Sequence, residues 1–281
     1  MSKRAEGSYS SAWRRLTKIV VPPVVNALMK HEWQGQDNIR NIPSGSGLIL
    51  AINHLSYVDP LAICLFTDRA GRYPVFLAKS SLFGIKGLGS VMRGTGQLPV
   101  HRGQVDAALV LRDVERGLRN GVGVIFYPES TVTRDPGLWP MVARTGAARA
   151  ALATGVPVIP VAQWGAQRIL PYGSLRPHLL PRTTVKIVAG PPVDLSAFQG
   201  KPLTTQILRD ATDAIMKDIT GLLAGIRGET PPAEPYHPAI ARRKARQEER
   251  ERSGDSRAAA EGESRAVTEA SADPGTEATP T

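Results

Sequence analysis

Hydrophobic residues follow two rhythms along this chain. Leu48-Ile-Leu-Ala-Ile52, Val122–Tyr127 and Val156–Ala162 are apolar runs of strand length. A strand with no polar face is one covered on both sides, as in a parallel sheet. Tyr73–Ala78 and Thr184–Ala189 add two more strands, making five. Between the runs the apolar positions recur at helical spacing. Ala108, Val110, Leu111, Val114 and Leu118 form one face of Val105–Arg119, which Asn120-Gly121 stops. Asp59-Pro60 offers an N-cap and a first-turn proline ahead of Leu61–Phe66. Gly146–Thr154 is an alanine-rich helix closed by Gly155, and Thr204–Ile226 is a long one. This alternation predicts an α/β fold with a mostly parallel central sheet flanked by helices. In such sheets, sites form where loops leave the carboxyl ends of strands.

The two ends read differently. Trp13, Leu16, Val20 and Val24 recur at three- and four-residue steps, with Arg14, Arg15 and Lys18 between them. That pattern predicts an N-terminal amphipathic helix of interfacial composition, or a terminal helix that packs its stripe on the domain. Pro22-Pro23 is expected to break it and leave the segment free to pivot. From Thr230 the chain is rich in Pro, Ala, Glu, Arg, Ser and Thr and lacks large apolar residues. Such a tail is expected to be disordered. The segments are therefore 1–34, 35–229 and 230–281. No run reaches the roughly 20 apolar residues of a spanning helix, and no secretory signal is visible, so the expectation is a protein that does not cross the bilayer.

Composition narrows the choices. The 281 residues hold a single cysteine, Cys64, which predicts a reducing, cytosolic setting with no disulfide framework. Five scattered histidines without a close pair argue against a metal site. The net charge is +10, unevenly spread. Residues 232–281 carry 8 Lys/Arg against 10 Asp/Glu, while residues 1–231 carry 27 against 15. A body of net +12 should seek anionic partners, such as a membrane surface or a phosphorylated substrate. With 5% aromatic residues it is poorly equipped to stack on single-stranded nucleic acid, and no nucleic-acid partner is expected.

The candidate chemistry follows the first buried run, in Asn53-His54-Leu55-Ser56-Tyr57-Val58-Asp59. An aspartate facing a histidine across a short loop fixes the imidazole tautomer and supports the imidazolium. The other ring nitrogen can then take a proton from a substrate hydroxyl. This is the base half of a catalytic triad with the hydroxyl supplied by the substrate. The alternative is a capping Asp59 beside a surface His54.

Three further blocks follow: Gly96-Gln-Leu-Pro-Val-His-Arg102 after a glycine-rich stretch, Tyr127-Pro-Glu-Ser-Thr131 after the third predicted strand, and Val156-Pro-Val-Ile-Pro160 on the fourth. With them the chain resembles the glycerolipid acyltransferases, in particular the 1-acylglycerol-3-phosphate acyltransferases. That family is marked by NHxxxxD, a G-x-x-x-x-x-R block, FPEGTRS and V-P-[IV]-x-P in this order. The resemblance covers about Gly47–Pro192 and makes 35–229 an acyltransferase domain. It implies that His54 is the general base and Asp59 its orienter. Arg102 and Arg144 would hold the acceptor phosphate, while Glu129, Ser130 and Thr131 would shape the acceptor site. A structural Glu129 bonded to backbone amides is the other reading. The third block departs from the pattern: Ser130 replaces glycine and Val132 replaces the arginine. Arg134 or Arg144 is then the substitute phosphate ligand. Leu82–Gly89 resembles the apolar region before the second block, suited to lining an acyl tunnel, meeting lipid or packing in the core.

By that resemblance the reaction moves a fatty acyl group from acyl-CoA or acyl-carrier protein to the free hydroxyl of a 1-acylglycerol 3-phosphate. Because a thioester is already activated, no metal or cofactor is expected. Backbone amides and the side chains of Asn53 and Ser56 are the candidate oxyanion donors. The expected partners are the acyl donor, a lysophospholipid and an anionic membrane surface. The expected place is the cytoplasmic face of the cell membrane, peripheral or monotopic. Competing expectations are another acceptor (glycerol 3-phosphate or a lyso-glycolipid), a non-catalytic basic membrane-binding protein, and metal-assisted hydrolysis by His54, Asp59 and Glu129.

Overall fold

The computed structural model describes residues 11–100, 104–174, 176–244 and 246–247. In chain order the elements are α1 (Ser11–Leu28), β1 (Met29–Gln34), α2 (Asp37–Arg40), β2 (Leu48–Ile52), α3 (Asp59–Arg69), β3 (Pro74–Lys79), α4 (Leu88–Gly94), β4 (Leu98–Val100), α5 (Gln104–Arg119), β5 (Gly123–Phe126), α6 (Gly146–Thr154), β6 (Val158–Trp164), α7 (Ala166–Ile169), β7 (Thr183–Ala189) and α8 (Thr205–Arg227). The strands form one sheet in the order β1-β7-β6-β2-β5-β3-β4. Every pairing is parallel except β6 with β7, which is antiparallel.

The unbroken apolar runs occupy the centre of this sheet, as expected. All five residues of β2 and all four of β5 are buried. Alternate side chains go to opposite faces. Leu48, Leu50 and Ile52 join Val25, Ile63 and Phe66 in one core, beneath α1 and α3. Ile49 and Ala51 join Val114, Leu118, Ala148, Ala211 and Ile215 in the other, beneath α5, α6 and α8. Neither face has room for a polar residue, which is why the runs show no alternation. Pro160 lies within β6, yet it interrupts little. Its carbonyl accepts from Gly190 just past the last β6·β7 pair, Val161↔Ala189. Its missing N–H therefore falls where that ladder ends.

Strands β1 and β4 were not anticipated. The sequence of β1, Met-Lys-His-Glu-Trp-Gln, alternates buried and exposed positions at the sheet edge. Its pairing with β7 also corrects the first boundary: Met29–Gln34 belongs to the sheet, not to an interface segment. The expected break at Pro22-Pro23 is absent as well. α1 is continuous from Ser11 to Leu28. Two adjacent prolines cost two intrahelical N–H donors, and α1 continues past them with its first half in contact with the domain. The Trp13 ring fills the space beside Gly94, where a Cβ would lie 2.2 Å from it. Arg14 sits over the Tyr73 ring at 4.3 Å, and Lys18 pairs with Asp68 at 3.1 Å. The anticipated stripe is thus divided: Trp13 faces the domain, while Leu16, Val20 and Val24 point outward together with Ile19, which is 70% exposed. Among the described residues no helix is long and apolar enough to cross a membrane.

The chain divides into compact units 1–235 and 236–281. The tail boundary at 230 precedes that division, and most of 230–281 lies outside the described residues. In the second unit, residues 238–244 and 246–247 are helical.

One clamp ties α8 to the long loop after β5. The Arg227 guanidinium lies 4.0 Å from the Trp139 ring and 4.4 Å from the Trp164 ring. Its Nη1 donates to the Gly137 carbonyl at 2.8 Å and its Nη2 meets Glu229. A cation stacked between two indoles with one carbonyl bond is worth more than a surface contact. Arg227→Ala is expected to cost about 2–4 kcal/mol in urea unfolding, since it removes both ring contacts and the carbonyl bond together.

Candidate active site

The site is assembled where three adjacent strands, β5, β2 and β6, end side by side. Asn53, the first residue beyond β2, is buried and bonded to β6 in three ways. Its Nδ2 donates to the Gln163 carbonyl at 3.1 Å, its Oδ1 accepts from Gln163 N at 2.8 Å, and its carbonyl accepts from Gln163 Nε2 at 2.8 Å. Sequence reading missed Gln163. The available signal was an amide in an otherwise apolar strand, which has to find partners inside.

His54 follows, with its Nδ1 2.9 Å from Asp59 Oδ2. Asp59 is fully buried at the start of α3. It does not cap its own helix as expected. The carboxylate turns back on the preceding loop, where the same Oδ2 also accepts from Leu55 N at 2.7 Å and Ser56 N at 2.9 Å. With Nδ1 committed to the carboxylate, Nε2 is the nitrogen that remains to accept a proton. The two side chains are thus brought together in the relation the motif predicts.

The Tyr127 ring stacks on the imidazole, with centroids 4.1 Å apart and planes at 22°. Burial, and next the Asp59 charge, push its phenol well above the ordinary range, so it stays protonated. Sequence reading gave Tyr127 no role of its own. It stands where the family block begins with phenylalanine.

The remaining block residues are sorted by this geometry. Glu129 is buried, its Oε1 accepting from His54 N at 3.1 Å and its Oε2 from Met141 N at 3.0 Å. Each oxygen thus accepts a backbone N–H, which is the arrangement the structural reading of Glu129 describes. Thr133 N returns a bond to the His54 carbonyl at 2.8 Å. Ser130 is exposed in the left-handed region at φ 61°, which explains why the family pattern has glycine there. Thr131 is half-buried beside it. Val132 is 1% exposed, so its side chain is packed rather than offered to a ligand. Arg144 is exposed ahead of α6, its N–H bonded to the Pro128 carbonyl at 2.9 Å. Arg134 is also exposed. Arg102 lies outside the described residues. The two candidate oxyanion side chains already have partners here: Asn53 bonds Gln163 as above, and Ser56 Oγ donates to the Leu170 carbonyl at 2.7 Å. Among the described residues no cluster of His, Cys, Asp and Glu is arranged to hold a metal ion.

Residues 32–164 match the family model described as Acyltransferase. The chain is similar to the chloroplastic 1-acyl-sn-glycerol-3-phosphate acyltransferase BAT2 of Brassica napus, 31% identical over 149 residues, and to LPAT1 of Arabidopsis thaliana, 28% identical over 162. These matches cover 52% and 56% of this chain and 40% and 42% of those proteins, so the chain spans less than half of their length. Among solved structures it resembles the 1-acyl-sn-glycerophosphate (LPA) acyltransferase PlsC from Thermotoga maritima. The TM-score is 0.57 and the identity 23%, over 80% of this chain and 85% of that one. That likeness concerns the fold.

Two consequences can be measured. Burial pushes the Glu129 carboxyl from its ordinary 4.5 up to about 8, against the pull of its two backbone N–H partners. Between those values the folded protein holds a proton that the unfolded chain has released. The corresponding stability is complete below 4.5 and is lost as pH rises through about 8. Urea unfolding at pH 5, 6.5 and 8.5 should show wild type losing stability across that window relative to Glu129→Gln. The variant should be about 1–3 kcal/mol weaker at pH 5, where its amide NH2 confronts a backbone N–H. Independently, Ser130→Gly should raise stability by about 1 kcal/mol, read by thermal unfolding, because it relieves a left-handed non-glycine residue.

Proposed function

We propose that this protein is an acyltransferase that moves a fatty acyl group from an acyl-CoA or acyl-carrier thioester to the free hydroxyl of a 1-acylglycerol 3-phosphate, forming phosphatidate. The observation that carries the reading is the His54–Asp59 contact of 2.9 Å at the carboxyl end of the central strand. Support comes from the acyltransferase-family match over 32–164 and from relatives named for that reaction.

Each atom has a place in the step. His54 Nε2 takes the proton as the acceptor oxygen attacks the thioester carbonyl, and Asp59 stabilises the imidazolium through Nδ1–H. The tetrahedral intermediate collapses with cleavage of the C–S bond, and the proton passes from Nε2 to the departing sulfur. The Tyr127 ring keeps the imidazole plane fixed throughout. Because the thioester is already activated, the step is written without a metal or cofactor. Arg144 and the Ser130–Thr131 turn receive the acceptor phosphate, and the family resemblance assigns Arg102 the same task; guanidinium forks suit such an anion.

The proposed setting is the cytoplasmic face of a membrane, where the protein is peripheral. The outward face of α1 supports this, since Leu16, Ile19, Val20 and Val24 form an exposed apolar stripe with Arg15 exposed beside it. A second reading concerns the acceptor. Val132 is packed inward where the family pattern places arginine, which favours a head group held differently, as in glycerol 3-phosphate or a lyso-glycolipid.

An acceptor panel tests both readings. Purified protein with acyl-CoA and acyl-carrier protein donors should acylate 1-acylglycerol 3-phosphate, and His54→Ala should lower that rate by about 10²–10⁴-fold at unchanged stability. Product from another acceptor alone would move the assignment to that acceptor. A His54→Ala protein of wild-type rate would remove the base assignment.

A further inference from the structure

We infer that the loop residues 171–174 and 176–182, together with Tyr57, are a second lipid-contacting surface, fitted to an anionic bilayer and placed at the rim of the His54 site. The inference rests on the proposed membrane setting and extends it to a part of the molecule far along the chain from α1.

Location comes first. Tyr57 lies within the His54–Asp59 loop and is 60% exposed. Its ring faces that of Tyr172, with centroids 6.2 Å apart. Ser56 Oγ holds the Leu170 carbonyl at 2.7 Å, so the catalytic loop and the start of this second loop are joined. The loop folds back on itself where His178 N bonds the Ile169 carbonyl at 2.7 Å. Immediately beyond that bond come Leu179 and Leu180, the second of them 85% exposed. The Arg182 side chain then reaches the carbonyls of Asn26 in the last turn of α1 and Met29 at the start of β1. The exposed apolar residues of this loop are thereby joined through one side chain to the helix whose outer stripe is apolar.

Composition identifies the occupant. A single exposed leucine is unremarkable on a protein surface, whereas Tyr172, Leu179 and Leu180 on one short loop, with Tyr57 facing Tyr172, are four exposed large side chains on two loops that are bonded together. No Asp or Glu occurs between Asp135 and Asp194. Within that stretch Arg168, Arg176 and Arg182 are exposed around the apolar residues. Apolar side chains flanked by arginines, with tyrosines at the boundary, match the layered chemistry of an anionic lipid interface. A partner protein would need complementary acidic groups and a larger buried area. Lipid needs only depth and charge. Seated this way, the bilayer surface lies against the loop that carries His54, and a lipid acceptor meets the imidazole without leaving the interface.

Vesicle co-sedimentation of the full chain tests this, using phosphatidylcholine vesicles with and without phosphatidylglycerol. The variants are Leu179→Ser/Leu180→Glu in the loop and Ile19→Glu in α1. The loop variant is expected to bind phosphatidylglycerol vesicles about tenfold more weakly than wild type, the effect of withdrawing inserted leucine. Its turnover of a short-chain, water-soluble acceptor should be unchanged. Wild-type vesicle binding by the loop variant would overturn the inference and leave α1 as the membrane contact. A loop variant that instead loses turnover of the soluble acceptor would also overturn it, because the patch would then serve the site itself. If only Ile19→Glu binds like wild type, the α1 reading fails and the loop stands. If wild-type protein binds neither vesicle, both fail together.

Discussion

A carboxylate buried without exposure is the constraint around which this site is organised. Taking Asp59 out of water is costly unless its charge is met. Here a single oxygen, Oδ2, receives the His54 Nδ1 and the N–H groups of Leu55 and Ser56. To deliver two successive backbone donors to one atom, the chain between β2 and α3 has to curl around it. The His54 side chain is then placed by the same curl. Solvation of the aspartate and orientation of the imidazole are one structural event, and the short spacing between the two residues is what permits it.

That curl is stitched to its neighbours on both sides. Toward β6, the three bonds between Asn53 and Gln163 fix the exit of β2. Toward β5, His54 is held front and back: its N–H by Glu129, its carbonyl by Thr133 N. The loop that supplies those partners is in turn pinned at Gly137 and Trp139 by Arg227 from α8. Most of the polar side chains here serve the backbone rather than a ligand. Mobile loops at strand ends have been turned into a frame, and positional precision of this kind is what acid–base chemistry requires.

The central strands and the long helices were legible in the sequence because each follows a local rule. Alternate residues of β2 enter two different cores, so the whole run had to be apolar. The His54–Asp59 relation was legible because both partners lie in one loop. What escaped depended on distant partners. β1 gains its place only by pairing with β7, more than a hundred residues away in sequence. α1 passes through Pro22-Pro23 with Gly94, Tyr73 and Asp68 in contact with its first half. Asn53 and Glu129 carried polar groups that their motif made look like ligands, and only the fold reveals that backbone amides and Gln163 engage them.

The two departures in the third block belong to the same physical picture. The groups acting on Glu129 are its own burial, the backbone of Met141 and His54, Asp59 and Thr133, with no cation among them. The family pattern would put an arginine three residues further on; this chain has Val132, packed into the interior. With valine in place, only dipoles oppose desolvation, and Glu129 rises toward neutrality. The block therefore carries one cation fewer than the family pattern. Ser130, held left-handed where glycine is the ordinary choice, keeps the turn's shape at a cost in strain. The block has kept its geometry while losing its charge. Under the proposed reaction, an anionic acceptor would have to be met by arginines outside this turn, and Arg144, tied to Pro128 by its own N–H, stands beside it.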